Sequence, residues 1–213
     1  MNDAGNSERT KRLFGSDLMY VTQLRRFFCW DGVRWVEDPD SLKTQARCLD
    51  SINQYLLEVT SRQIDTFDNE KVVSFLRRSK DRVRLNAQVD LLRSMIACDA
   101  SKLDANEHKI GCLNGIVDLN NGSHSAPDRA AKITKLLNVE YDSNAVCPAF
   151  AKLVHDMLGG DQYKIDFMQM LAGYWLTGST KFHIFPILVG DAATGKSSFV
   201  NAIRRCWVIT LPI

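Results

Sequence analysis

Apolar residues recur at helical spacing in five stretches of the chain. Leu42, Ala46, Leu49, Ile52, Leu56 and Val59 form the longest stripe. Val72, Val73 and Leu76 form a shorter one, and Leu85, Val89, Leu92 and Ile96 a third. Pro148 stands at a favourable first-turn position and opens a fourth helix. Phe150, Leu153 and Met157 line its face, and Gly159-Gly160 ends it. The fifth helix runs over about 161–176, with Ile165, Met168, Ala172 and Trp175 on one side and Gly178 closing it.

Elsewhere the pattern shortens to that of strands. Phe27–Trp30 and Val33–Val36 flank Asp31-Gly32, a pair suited to a two-residue type I′ turn, and Leu18–Val21 adds a third strand. The phenylalanines and tryptophans here read as a small aromatic core in preference to a base-stacking surface. Asn114-Gly115 and Asn120-Asn121-Gly122 predict two tight reversals. Ile133–Lys135 and Val139–Tyr141 read as further short strands, and Ile184–Val189 as a buried strand of parallel type. No internal repeat is visible. Residues 1–16 are polar and charged and read as a disordered tail.

With 213 residues and 45% apolar content, the chain can bury one or two cores. Its net charge of +2 selects no partner class. No signal peptide or membrane span is apparent, and a cytoplasmic location is expected. Cys29, Cys48, Cys98, Cys112, Cys147 and Cys206 form no C-x-x-C pair and do not cluster with the histidines. They read as reduced, mostly buried thiols rather than zinc ligands. Arg77, Arg78, Lys80, Arg82 and Arg84 crowd into eight residues between two helices. They are candidate DNA contacts, although a solvated helix end is the commoner explanation.

The sharpest chemical signal is Gly190-Asp191-Ala192-Ala193-Thr194-Gly195-Lys196-Ser197, which fits G-x-x-x-x-G-K-[ST] at every fixed position. Glycines let the backbone turn tightly around phosphates, with amide N–H groups pointing inward. A helix starting near Lys196 aims its positive end at the same anion. Lys196 would reach the β- and γ-phosphates of ATP, and the Ser197 hydroxyl would ligate Mg2+. Ser198 completes the candidate set. A strand before the loop and an amphipathic helix after it are what this motif requires. The expected fold class is therefore α/β. A mixed α+β module spans 17–145. The stretch 146–213 holds a helical lead-in and the first strand–loop–helix of an incomplete P-loop, AAA+-like nucleoside triphosphatase.

Six short segments, in order, resemble the phage and plasmid primase-helicases related to the poxvirus primase-helicase, whose motor is a superfamily-3 helicase. They are Trp30-Asp31-Gly32-Val33-Arg34-Trp35, then Asn114-Gly115-Ile116-Val117-Asp118-Leu119, then Ile133-Thr134-Lys135 with Tyr141-Asp142. Cys147-Pro148-Ala149-Phe150, Leu171–Gly178 and the phosphate-binding loop follow. The resemblance implies an ATP-dependent DNA helicase acting in replication, usually as a ring of six copies. It carries the nucleotide-ligand role onto Gly190, Gly195, Lys196 and Ser197. Two positions depart from the family, which has Gly at the place of Ala192 and Asn at that of Thr194. Only sixteen residues follow Ser197, so no acidic strand, arginine finger or DNA-tracking hairpin is expected in this chain. Weak nucleotide binding and negligible hydrolysis are the expectation for the chain by itself. The tail from Cys206 also departs from the family, and codons permitted there encode a family-like continuation in a shifted frame. A non-enzymatic DNA-binding or assembly module is the alternative reading. A small kinase is disfavoured, because such enzymes carry the loop near the start of the chain.

Overall fold

Leu18–Val21 is apolar along its whole length. A strand accommodates that only where both faces of its sheet are covered. In the computed structural model, which describes residues 2–61, 67–177 and 179–206, both faces are. This strand, β1 (Leu18–Val21), pairs antiparallel with β2 (Arg26–Trp30), and β2 pairs antiparallel with β3 (Trp35–Asp38). β4 (Ala97–Cys98) lies parallel on the other edge of β1. Leu18, Phe27 and Cys29 pack on one side with Cys48, Leu85, Val89 and Leu92. Met19, Val21, Phe28 and Trp35 pack on the other, against Trp30, Cys98, Ala100 and Leu103. The aromatic residues are thus core, and Trp30 meets Trp35 edge-on with ring centroids 5.8 Å apart. Full burial of a side chain of this size contributes on the order of 1.5–3 kcal/mol.

Helices cover the first of those faces. α2 (Leu42–Ser61) and α4 (Arg82–Met95) do so, and α3 (Phe67–Arg78) packs on α2. All three lie where the apolar stripes place them, but α2 turns Thr44, Cys48, Ser51 and Ile52 inward and leaves Leu42 and Ala46 exposed. α2 begins where the buried Asp38 ends β3. Its carboxylate accepts from Lys43 N at 2.9 Å, from Thr44 N at 2.8 Å and from the Thr44 hydroxyl at 2.7 Å. One charged side chain therefore satisfies orphan donors at the helix start.

Residues 2–16, read from their polarity as part of a disordered tail, are ordered. Asp3–Phe14 is a helix, α1, capped by Asn2, whose Oδ1 accepts from Gly5 N at 2.9 Å. The face it buries is itself polar: Asn6, Ser7 and Thr10. The Ser7 hydroxyl lies 3.0 Å from both Asp3 O and Gln88 O. Gln88 on α4 is fully buried and donates from Nε2 to Ser79 O at 3.2 Å. A reading keyed to apolar stripes does not register a seam built from small polar side chains. The β2–β3 connection differs too. Trp30 pairs with Trp35, so Asp31–Arg34 make the link in place of a two-residue turn.

The chain parts between Leu103 and Asp104, inside the stretch 17–145 that the sequence suggests as one module. The second unit holds Gly32–Arg34 and the chain from Asp104 onward. Its sheet contains β5 (Lys109–Cys112), β6 (Gly115–Asp118), β7 (Ser123–Ser125) and β8 (Leu136–Leu137). No repeat is visible in the sequence, yet both sheets share one topology. Each has three antiparallel strands in series and a fourth laid parallel on the first. Gly115 has a φ of 154°, and a Cβ there would stand 2.1 Å from Ser125 O, so the position admits only glycine. The expected strand at Val139–Tyr141 is absent. The Asn114 carboxamide takes its place, donating to Tyr141 O and accepting from Tyr141 N, both at 2.9 Å. Ile133–Lys135 lies just ahead of β8 and is held by Asp104, which accepts from Thr134 N at 2.8 Å.

Three helices complete this unit: α5 (Pro148–Met157), α6 (Gln162–Leu176) and α7 (Lys196–Cys206). Val154, Met168, Leu171 and Phe199 form their shared core, with Phe150, Ile165, Trp175, Leu188 and Ile203 around it. Val154 and Leu171 are the buried members, while Leu153 and Ala172, which the sequence suggests, are half-buried beside them. Ile184–Val189 is not a strand. Phe185, Ile187 and Val189 are exposed, and Leu188 alone of this run joins the helical core. A strand exists by pairing, and among the described residues none pairs with this segment. Gly178 as a helix stop, and the sequence reading of residues 207–213, lie outside the described residues.

Two outcomes follow from this packing. Gln88→Leu strips Ser79 O of its buried donor and should lower the unfolding free energy by roughly 1–3 kcal/mol, read as a lower urea midpoint. Burial, aided at Cys29 by the nearby Asp38 charge, pushes the Cys29 and Cys48 thiols from 9.0 up to about 11. The folded state then holds these protons more tightly than the unfolded chain. Their contribution is complete below pH 9 and is lost as pH rises towards 11. Urea midpoints should fall across that window, and C29A/C48A should flatten the decline.

Candidate functional site

The α5–α6–α7 core positions one loop. Leu188 anchors the chain ahead of Gly190. Past the loop, Phe199 is buried with its ring stacked on Phe150 at 5.9 Å, and its N–H donates to Gly195 O at 2.9 Å. The loop is therefore pinned on both sides, while Asp191, Ala192, Ala193 and Thr194 are exposed. Gly195 has two reasons to be glycine. Its φ is 88°, and a Cβ would come within 2.9 Å of Leu153 Cδ1 on α5. The sequence places Leu153 on the packing face of α5, but the motif carries no sign that this side chain lies beneath Gly195. Ala192, where the resemblance expects glycine, does not hold a positive φ. Ala193 does, at 62°, at a cost on the order of 1–2 kcal/mol.

Lys196 folds back into the loop. Its ammonium donates to Gly190 O at 2.9 Å, to Asp191 O at 2.5 Å and to Thr194 Oγ1 at 2.8 Å. The Thr194 hydroxyl in turn donates to Asp191 O at 3.0 Å. The positive end of α7 opens beside this cation with no acidic residue in the first turn, and Ser197 and Ser198 are exposed there. An ammonium, a helix N-terminus and a tightly turned backbone in one place suit a multiply charged anion.

The other candidate residues belong to the first unit. Arg77 and Arg78 lie in the last turn of α3, Lys80 in the turn itself, and Arg82 and Arg84 at the start of α4. Arg77, Arg78, Lys80 and Arg82 are exposed; Arg84 is half-buried, with its guanidinium 6.0 Å from the Phe75 ring centroid. Among the described residues, no group of three or more His, Cys, Asp or Glu side chains is placed to hold a metal ion. No described helix is long and apolar enough to cross a membrane.

No curated protein matches the chain. The model of the family described as D5 N terminal like matches residues 7–159, from within α1 to the end of α5 and across both sheets. The loop at 190–198 lies beyond that match. With the match covering well over half of its length, the chain belongs to the D5 N terminal like family, a domain of primase-helicase-like replication proteins.

Proposed function

We propose that this chain is part of an ATP-dependent DNA helicase of the primase-helicase type, serving replication of a phage, prophage or plasmid. Residues 190–198 are its phosphate-binding loop. The observation that carries this reading is the placement of Lys196. Its ammonium is ringed by two carbonyls and a hydroxyl, oxygens that stand where phosphate oxygens would. Phosphate is a charged acceptor and forms the stronger hydrogen bonds, so exchange of these internal partners for a triphosphate is favourable.

The residues present fit ATP with Mg2+. Amides of the loop from Asp191 to Lys196 would cradle the phosphates, Lys196 would neutralise them, and Ser197 would supply a hydroxyl to the metal. Bound there, ATP supplies the phosphoryl bond whose hydrolysis drives unwinding. Gly190 and Gly195 bring the backbone close, and Thr194 must release the lysine when the anion arrives. The resemblance supports DNA as the substrate and a ring of six copies as the working assembly.

A fluorescent ATP analogue with Mg2+, titrated against the chain, tests the reading. Lys196→Ala should weaken binding at least tenfold, about 1.4 kcal/mol. Equal affinity of the variant and the original chain, or no binding by either, would overturn it.

A further inference from the structure

Residues 77–84 hold five cations and one anion, Asp81, against a whole-chain balance of +2, so everything outside this stretch carries a net −2. The cationic excess of the protein is concentrated at one turn. Helix stability explains only part of it. Arg77 and Arg78 stand at the C-terminal end of α3, where the helix dipole favours a positive charge. Arg82 stands at the N-terminal end of α4, where the same dipole disfavours one. No acidic residue occupies the first turn of α4, and its N-cap, Asp81, makes no side-chain capping bond. That end of the helix adds to the positive field instead of being quenched.

The turn is also rigidly built. Ser79 is fully buried; its N–H and its hydroxyl both donate to Phe75 O at 2.9 Å, and its carbonyl accepts from Gln88 Nε2. Four exposed cations thus project from a fixed backbone, and little order has to be gained when they meet a partner. Several cations side by side match a polymer of regularly spaced charges better than a single small anion.

We infer that the α3–α4 turn is a binding surface for the sugar–phosphate backbone of nucleic acid, with Arg77, Arg78, Lys80 and Arg82 as its phosphate contacts. This surface lies in the first unit and does not rest on the loop at Lys196. Contacts of this kind fix position without reading sequence.

The full chain, titrated against labelled single-stranded and duplex oligonucleotides between about 50 and 200 mM salt, tests this. If all four cations engage, log affinity should fall against log salt with a slope of about −3.6 on duplex and about −2.8 on single strands. The relative strength of the two arms tells which form is preferred. R77A/R78A/K80A/R82A should lose most of that slope and at least tenfold in affinity while still unfolding cooperatively in urea. Should that variant unfold, Arg82→Ala alone should reduce the duplex slope by about 0.9. Lys196→Ala should leave both readouts unchanged, which separates this surface from the nucleotide reading. Absence of salt-dependent binding, retention of it by the variants, or binding to an acidic polypeptide in place of nucleic acid would overturn the proposal.

Discussion

Gln88 is the point on which the first unit turns. Its backbone carbonyl receives Ser7 from α1, and its carboxamide holds the carbonyl of Ser79 at the end of α3. Three helices meet at one buried residue, through its backbone on one side and its side chain on the other. A polar seam of this kind fixes rotation as well as distance, because a hydrogen bond is directional where apolar contact is not. With α4 fixed in rotation, Leu85, Val89 and Leu92 face the sheet and close over Leu18 and Phe27. The apolar core and the polar seam are therefore not independent, since the second sets the aim of the first.

The two sets of cations differ in how they meet an anion. Lys196 is saturated from within, by oxygens of its own loop. An anion there would have to compete with an existing set of bonds, which would favour high charge density. Arg77, Arg78, Lys80 and Arg82 of the α3–α4 turn are exposed to solvent. Binding there would exchange water and mobile ions, which gives weak, salt-sensitive attraction with little selectivity. The one site is suited to a compact polyanion and the other to an extended one.

The legible parts of the sequence were those where burial is apolar and periodic. The stripe from Leu85 became the buried face of α4, whereas the stripe from Leu42 gave the extent of α2 but not its aim: Leu42 and Ala46 are exposed, and Thr44, Cys48, Ser51 and Ile52 face inward. α1 was hidden because Asn6, Ser7 and Thr10 are what it buries. The Trp30–Trp35 hairpin was visible, but Val33 looked like strand although the loop needs it. Ile184–Val189 shows the opposite error. Its residues favour strand, yet strand is a property of a pair, and no partner among the described residues is offered. At the loop, the motif announced Lys196 and Gly195. It was silent on Leu153, which lies under Gly195, and on the left-handed turn falling at Ala193 rather than Ala192. Such details belong to three-dimensional neighbours that a linear spacing does not encode.

The shared topology of the two sheets has a kinetic consequence. In the second, β8 closes on β5 through the pairing of Gly111 with Leu136, across a short span of chain. In the first, β4 reaches β1 through Tyr20 and Ala97, with α2, α3 and α4 all lying between. Loop-closure entropy and the helices themselves must be settled before that last strand can land. The same architecture is thus completed early in one unit and late in the other. Until β4 arrives, the apolar β1 keeps one edge unsatisfied, and a nascent chain is most exposed to mispairing with its neighbours during that interval.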